Sequence, residues 1–259
     1  MKHRLGAVIA LVLAITLVIL LLLPVGALLD NISFSGLALA WSNGGMDAVM
    51  VSMSCTAVAV VAIVVFGTPV GWFLARRKSH FWRVVEFLLF IPLLMPPLVV
   101  GLLLMYFLGP YGWFGRVFSA LQWTMTNSAS AIVVAQIYEA IPYYIFSAAA
   151  AFSQVDVGFE RTSFSLGRTP WYTLRKITIP LALPGLSAGC AMAFARAVGA
   201  FGAVVVIAYY PHTLPVQIWV ALQEQGLPAA FPLALILLLM ALPFPLLIVL
   251  WRYRRDARM

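Results

Sequence analysis

Apolar and polar positions follow one another in long blocks, not at the short periods of a soluble helix or strand. Six blocks, roughly 5–29, 48–75, 84–108, 129–152, 181–208 and 229–251, carry few charges, and each is long enough to cross about 30 Å of hydrocarbon as a helix. In lipid the backbone must satisfy its own polar groups. The pattern therefore predicts an all-α polytopic membrane protein of six transmembrane helices. The first block follows Lys2, His3 and Arg4 and resembles a signal sequence, with Val25-Gly26-Ala27 as a weak cleavage site. Its apolar run exceeds what a signal sequence needs, so a retained helix is expected. Pro92, Pro96 and Pro97 disrupt regular hydrogen bonding midway along the third span, which predicts a break there.

Composition agrees with this reading: 64% of the 259 residues are hydrophobic, 9% are charged, and the mean hydropathy is +1.03. The net charge of +8 raises the question of an anionic partner, and the placement of the cations answers it. Of 16 Lys and Arg residues, all but Arg116 and Arg196 fall at 2–4, 76–83, 161–176 and 252–258, on one side of the six spans. The charge is a topology signal that puts both termini in the cytoplasm, and no nucleic-acid partner is implied. Cys55 and Cys190 lie in different apolar blocks and are expected to be unbridged, and the three histidines lack metal-ligand spacing. No linker or appended soluble domain is visible, so the chain reads as one membrane domain, 1–259.

The longest polar interruption on the cytoplasmic side is a loop at about 153–180. Asp156 can cap a short helix that Gly167 ends, and Thr169 can cap a second with Pro170 at its first position. Phe159 and Leu166 on the first, and Trp171, Leu174 and Ile177 on the second, recur at helical spacing. Such a unit presents apolar knobs on a charged platform, suited to a groove on a soluble partner. An ordinary charged interfacial loop would have much the same composition.

The spacing within this loop resembles the signature of binding-protein-dependent ABC importer permeases: an acidic residue and two small ones, then Gly, nine residues and Ile-x-Leu-Pro. Here the positions are Glu160, Thr162 and Ser163, then Gly167, Ile177 and Pro180, with Ile179 in the Leu place and Glu160 seven residues before the Gly. The departures leave the contact made by Glu160 open. The stretches "FGTPVGWFLARRK", "FIPLLMPPLVVGLLL" and above all "FARAVGAFGAVVVIAYYPHTLPVQIWVALQEQGLPAAFPLALILLL" are similar to the permease subunits of molybdate and tungstate importers and, more distantly, of sulfate importers. That resemblance implies a type I importer permease fold and a homodimer working with two cytoplasmic ATPase subunits and an external binding protein. It implies that Glu160, Thr162, Ser163, Leu166, Gly167, Pro170, Trp171, Leu174, Ile177 and Pro180 form the element that couples to the ATPase. The chain contains no Gly-x4-Gly-Lys-Ser/Thr pattern, so ATP and Mg belong to the partner, this subunit binds no cofactor and it is not itself an enzyme.

Two ionisable residues, Glu139 and Arg196, lie well inside predicted spans four and five, where each needs a partner. They fall at similar depth and can meet. A structural ion pair and a transient counter-charge for an anion on the translocation path both remain open. A gradient-driven carrier would need several buried carboxylates, and a membrane enzyme would need a cluster of His, Cys or acidic residues at one depth. The sequence offers neither.

Overall fold

The computed structural model describes residues 2–256; Arg258, counted above for orientation, lies outside them. In chain order the helices are α1 (Lys2–Asp30), α2 (Phe34–Ala40), α3 (Met46–Arg76), α4 (His80–Leu94), α5 (Pro97–Leu108), α6 (Trp113–Ala120), α7 (Ala129–Ser153), α8 (Val157–Ser165), α9 (Pro170–Thr173), α10 (Ile179–Val198), α11 (Gly202–Ile207), α12 (Leu214–Gln225), α13 (Leu227–Ala241) and α14 (Pro243–Asp256). Among the described residues five helical stretches are long and apolar enough to cross a membrane, and counting the bent pair α4 and α5 as one span gives a sixth. The all-helical membrane fold expected from the block pattern is the fold observed.

Helix α7 is the centre of the bundle. One core packs its Ala131, Ile132 and Ala135 against Cys55 of α3, Val100 and Leu104 of α5, and Ala203 and Ile207 of α11. A second packs its Tyr144, Ala148 and Phe152 against Ile63 of α3 and Leu186 and Ala193 of α10. Lipid is as apolar as these side chains, so close packing of small residues, not exclusion of water, holds the helices together. By contrast, α1 lies against α13 with the apolar side chains of its span turned outward.

Two spans are broken. Helices α4 and α5 meet at 109° where Pro96 and Pro97 interrupt the ladder, as the clustered prolines predict. The fifth span departs from expectation. It does not run unbroken to 208 but ends at Val198, and α11 begins afresh at Gly202. Small residues around Gly199 and Ala200 let the chain leave the helix, and hydropathy is blind to such an exit. The half-spans α5 and α11 then pack together at Gly101, where a β-carbon would stand 2.8 Å from both the Ala203 carbonyl oxygen and Val206 Cβ. Gly101→Val is therefore expected to lower stability by about 1–3 kcal/mol by forcing the half-spans apart. A fall in the thermal midpoint of the purified protein would register it.

In the loop at 153–180 a further expectation is corrected. The second loop helix is not separate from the membrane span: α9, a π-helical turn at Leu174–Thr178 and α10 form one rod, Pro170–Val198. Pro180 cannot donate to the ladder, and the wider turn accommodates it, with the Ile179 N–H bonding back to the Leu174 carbonyl. The segments joining the spans also contain helices, α2, α6 and α12.

Candidate functional site: a loop clamped to the bundle and an intramembrane ion pair

Local capping builds the loop. Asp156 accepts the Gly158 N–H at 2.8 Å and starts α8. Gly167 follows the end of α8 with φ of +72°, a conformation that favours glycine. Thr169 accepts the Tyr172 N–H at 3.3 Å and starts α9, with Pro170 in the first turn.

Helix α8 has two faces with different roles. Glu160 and Ser163 point inward and are buried. Ser163 Oγ lies 2.7 Å from Thr173 Oγ1, which ties α8 to α9. Glu160 Oε1 accepts from Arg76 Nη2 at 2.9 Å, from Arg76 Nε at 3.2 Å and from Thr178 Oγ1 at 2.9 Å. Arg76 Nη2 also donates to the Val155 carbonyl at 3.0 Å. Four segments therefore meet at one ion pair: the end of α3, the residues just after α7, α8 and the foot of α10. Arg76 and Thr178 were absent from the sequence-derived site. The available signal was the inward polar face of α8, since a carboxylate sharing it with Ser163 requires a cationic partner.

The other face of the loop is open. Leu166 is 74% exposed, Trp171 69% and Phe159 56%, an apolar surface too large for solvent to leave without purpose. Thr162 and Pro170 are exposed beside them, whereas Leu174 and Ile177 are half-buried and do not stand out as knobs. Their segment continues into α10 and is held to α8 through Thr173. Phe159, Leu166, Tyr172, Ile177 and Pro180 line an open groove of about 740 Å³ with Arg168 and Lys176 at its walls. Arg168 lies over the Tyr172 ring at 4.8 Å.

Deeper in the bundle, Arg196 Nη2 approaches Glu139 Oε2 to 2.8 Å. The contact is close but poorly aligned, and among the described residues both Glu139 Oε2 and Arg196 Nε lack a hydrogen-bond partner. Glu139 Oε1 accepts the Ala203 N–H at 3.3 Å, so this carboxylate also satisfies a first-turn donor of α11. The Glu139 side chain is 2% exposed and that of Arg196 32%, which leaves the guanidinium one open side. Of the polar residues sharing the Glu139 face, Gln136 donates to Thr56 Oγ1 at 3.0 Å, and Tyr143 is half-buried. Glu139→Gln should cost about 1–3 kcal/mol, at or below the usual range for a broken buried pair because Arg196 can partly rehydrate. Adding Arg196→Gln should restore part of the loss, a coupling that thermal unfolding of the two single variants and the double variant would measure.

Comparison with known proteins identifies the family and the fold. Residues 67–259 match the family described as the binding-protein-dependent transport system inner membrane component. The chain is 40% identical over 228 residues, 88% of its length and 83% of the relative's, to the probable molybdenum ABC transporter permease protein of Haloferax volcanii. It is 32% identical over 190 residues, 73% of its length and 71% of the relative's, to the molybdate/tungstate transport system permease protein WtpB of Thermococcus kodakarensis. The fold matches a chain of a bacterial alginate ABC transporter crystallised with its alginate-bound periplasmic protein, at a TM-score of 0.76 and 14% identity over 95% of this chain and 93% of that one. With a clamped loop, broken half-spans and a family match over most of its length, the chain belongs to the inner-membrane permease components of binding-protein-dependent transport systems.

Proposed function

We propose that the chain is the permease subunit of an ATP-driven importer of molybdate or tungstate, working as a homodimer with both termini in the cytoplasm. Two ATPase subunits dock on the loop at 156–180, and an external binding protein delivers the oxyanion at the opposite end. The choice of cargo rests on likeness to permeases named for molybdenum and for molybdate/tungstate.

The loop's two-sided build carries the mechanical part. Its exposed groove offers a docking surface, while its inward face is bolted through Glu160 to Arg76, so movement of the groove cannot be absorbed by the loop alone. Because α9 continues into α10, displacement at Trp171 passes along about 40 Å of helix to Arg196. The breaks at Pro96 and after Val198 supply places where half-spans can turn.

Arg196 contributes a positive charge with one open side to the path of a tetrahedral dianion. A lone buried cation would trap such an ion. The adjacent Glu139 carboxylate offsets most of that attraction, which suits a subunit that must release its cargo.

The test is ATP hydrolysis by the assembled transporter, stimulated by binding protein loaded with molybdate, tungstate or sulfate. Stimulation several-fold by the first two and weakly by sulfate is expected. Stimulation by sulfate alone would reassign the cargo, and no stimulation by any of them would refute the proposal.

A further inference from the structure

A second basic cluster lies at the same end of the bundle as the loop and takes no part in its clamp. Leu74 and Arg77 at the end of α3, Lys78, and Trp82, Arg83 and Glu86 on α4 line a groove of about 380 Å³. Arg76 is committed to Glu160, but Arg77, Lys78 and Arg83 have no carboxylate within ion-pair distance among the described residues. Three cations face a single acid, Glu86.

Trp82 supplies the aromatic wall of the groove and is backed by further rings. Phe73 stacks on Trp82 with ring centroids 4.8 Å apart, Phe81 meets the edge of Trp82 at 5.2 Å, and Arg77 lies over Phe73 at 5.8 Å. Aromatic residues and arginines in this arrangement mark the depth of lipid headgroups. Along α4 beyond the groove, Phe87, Leu88 and Leu94 are exposed and apolar, offering a track for acyl chains. The first turn of α4 is also left without a side-chain cap or an acidic residue, so its backbone donors add to the positive field.

We propose that the groove between the end of α3 and the start of α4 is a binding site for the phosphate headgroup of an anionic phospholipid. Free phosphate shares the charge but has no use for the apolar track, whereas a lipid engages both. Its role is to hold the turn between the second and third spans against the bilayer while the neighbouring Arg76 clamp carries load.

The full chain, purified with its associated subunits and stripped of lipid, would be given equal amounts of phosphatidylglycerol and phosphatidylcholine with identical acyl chains, and the bound lipid counted by native mass spectrometry. Preferential retention of phosphatidylglycerol is expected. At about fivefold per cation near a membrane surface, Arg77→Gln with Arg83→Gln should weaken that retention about 30-fold. Glu86→Gln should strengthen it about fivefold, an opposite sign that misfolding would not produce. Equal retention of the two lipids, indifference to both sets of substitutions, or displacement of the lipid by a few millimolar inorganic phosphate would each overturn the proposal.

Discussion

Gly167→Trp is expected to cut uptake about 30-fold or more while the protein still inserts in the membrane and the ATPase still hydrolyses ATP. Gly167 adopts φ of +72°, and a β-carbon built there meets nothing within 4 Å, so the fold has room for a side chain. The internal cost is the left-handed backbone alone, about 1–2 kcal/mol. The indole would project from the turn between α8 and α9, next to exposed Leu166 and Trp171, into the surface proposed to receive the ATPase. Loss of one central interface contact costs 2 kcal/mol or more, so uptake should fall by about 30-fold or further. Gly167→Ala carries the same backbone strain without the bulk and should retain most of the uptake. Measuring uptake and hydrolysis in the same vesicles separates lost coupling from lost folding.

Arg76→Ala should have an effect of similar size through the opposite face of the loop. It removes both guanidinium bonds to Glu160 and the bond to the Val155 carbonyl, leaving a buried carboxylate with Thr178 as its only hydrogen-bond partner among the described residues. Breaking a buried pair in this way costs about 3–5 kcal/mol. The loop should come loose from α3 before the spans do, since α8 and the short α9 have little other burial. Hydrogen exchange across 157–180 should therefore rise by orders of magnitude, while the amides of α7 stay protected. Arg76→Lys should rescue only partly, because one ammonium cannot reproduce the planar fork that reaches both Glu160 and Val155. Unchanged exchange across 157–180 in Arg76→Ala would show that the clamp does not hold the loop.

What the sequence made legible and what it hid follow from the range of the forces involved. The caps at Asp156 and Thr169 each act on an N–H two or three residues away, and the stop at Gly167 is a property of its own backbone, so local chemistry sufficed. The break between α4 and α5 was legible for the same reason, because proline acts on its own turn. The clamp was not: Arg76 and Glu160 are 84 positions apart, and Arg76 had already been accounted for as one of many charges setting orientation. Glu139 and Arg196 could be expected to meet because lipid isolates them, but the bond that the Ala203 N–H donates to Glu139 depends on a helix restart that hydropathy cannot register. The fusion of α9 with α10 was hidden by Pro180, which reads as a boundary until the π-helical turn before it is seen.

Transport by vesicles containing the chain and a molybdate-loaded binding protein, with and without the ATPase partner and ATP, tests most directly whether force enters through this loop. Uptake only when ATPase and ATP are both present, and cut about 30-fold or more in Gly167→Trp, is the predicted result. Accumulation of molybdate by vesicles holding this chain with no ATPase would contradict it.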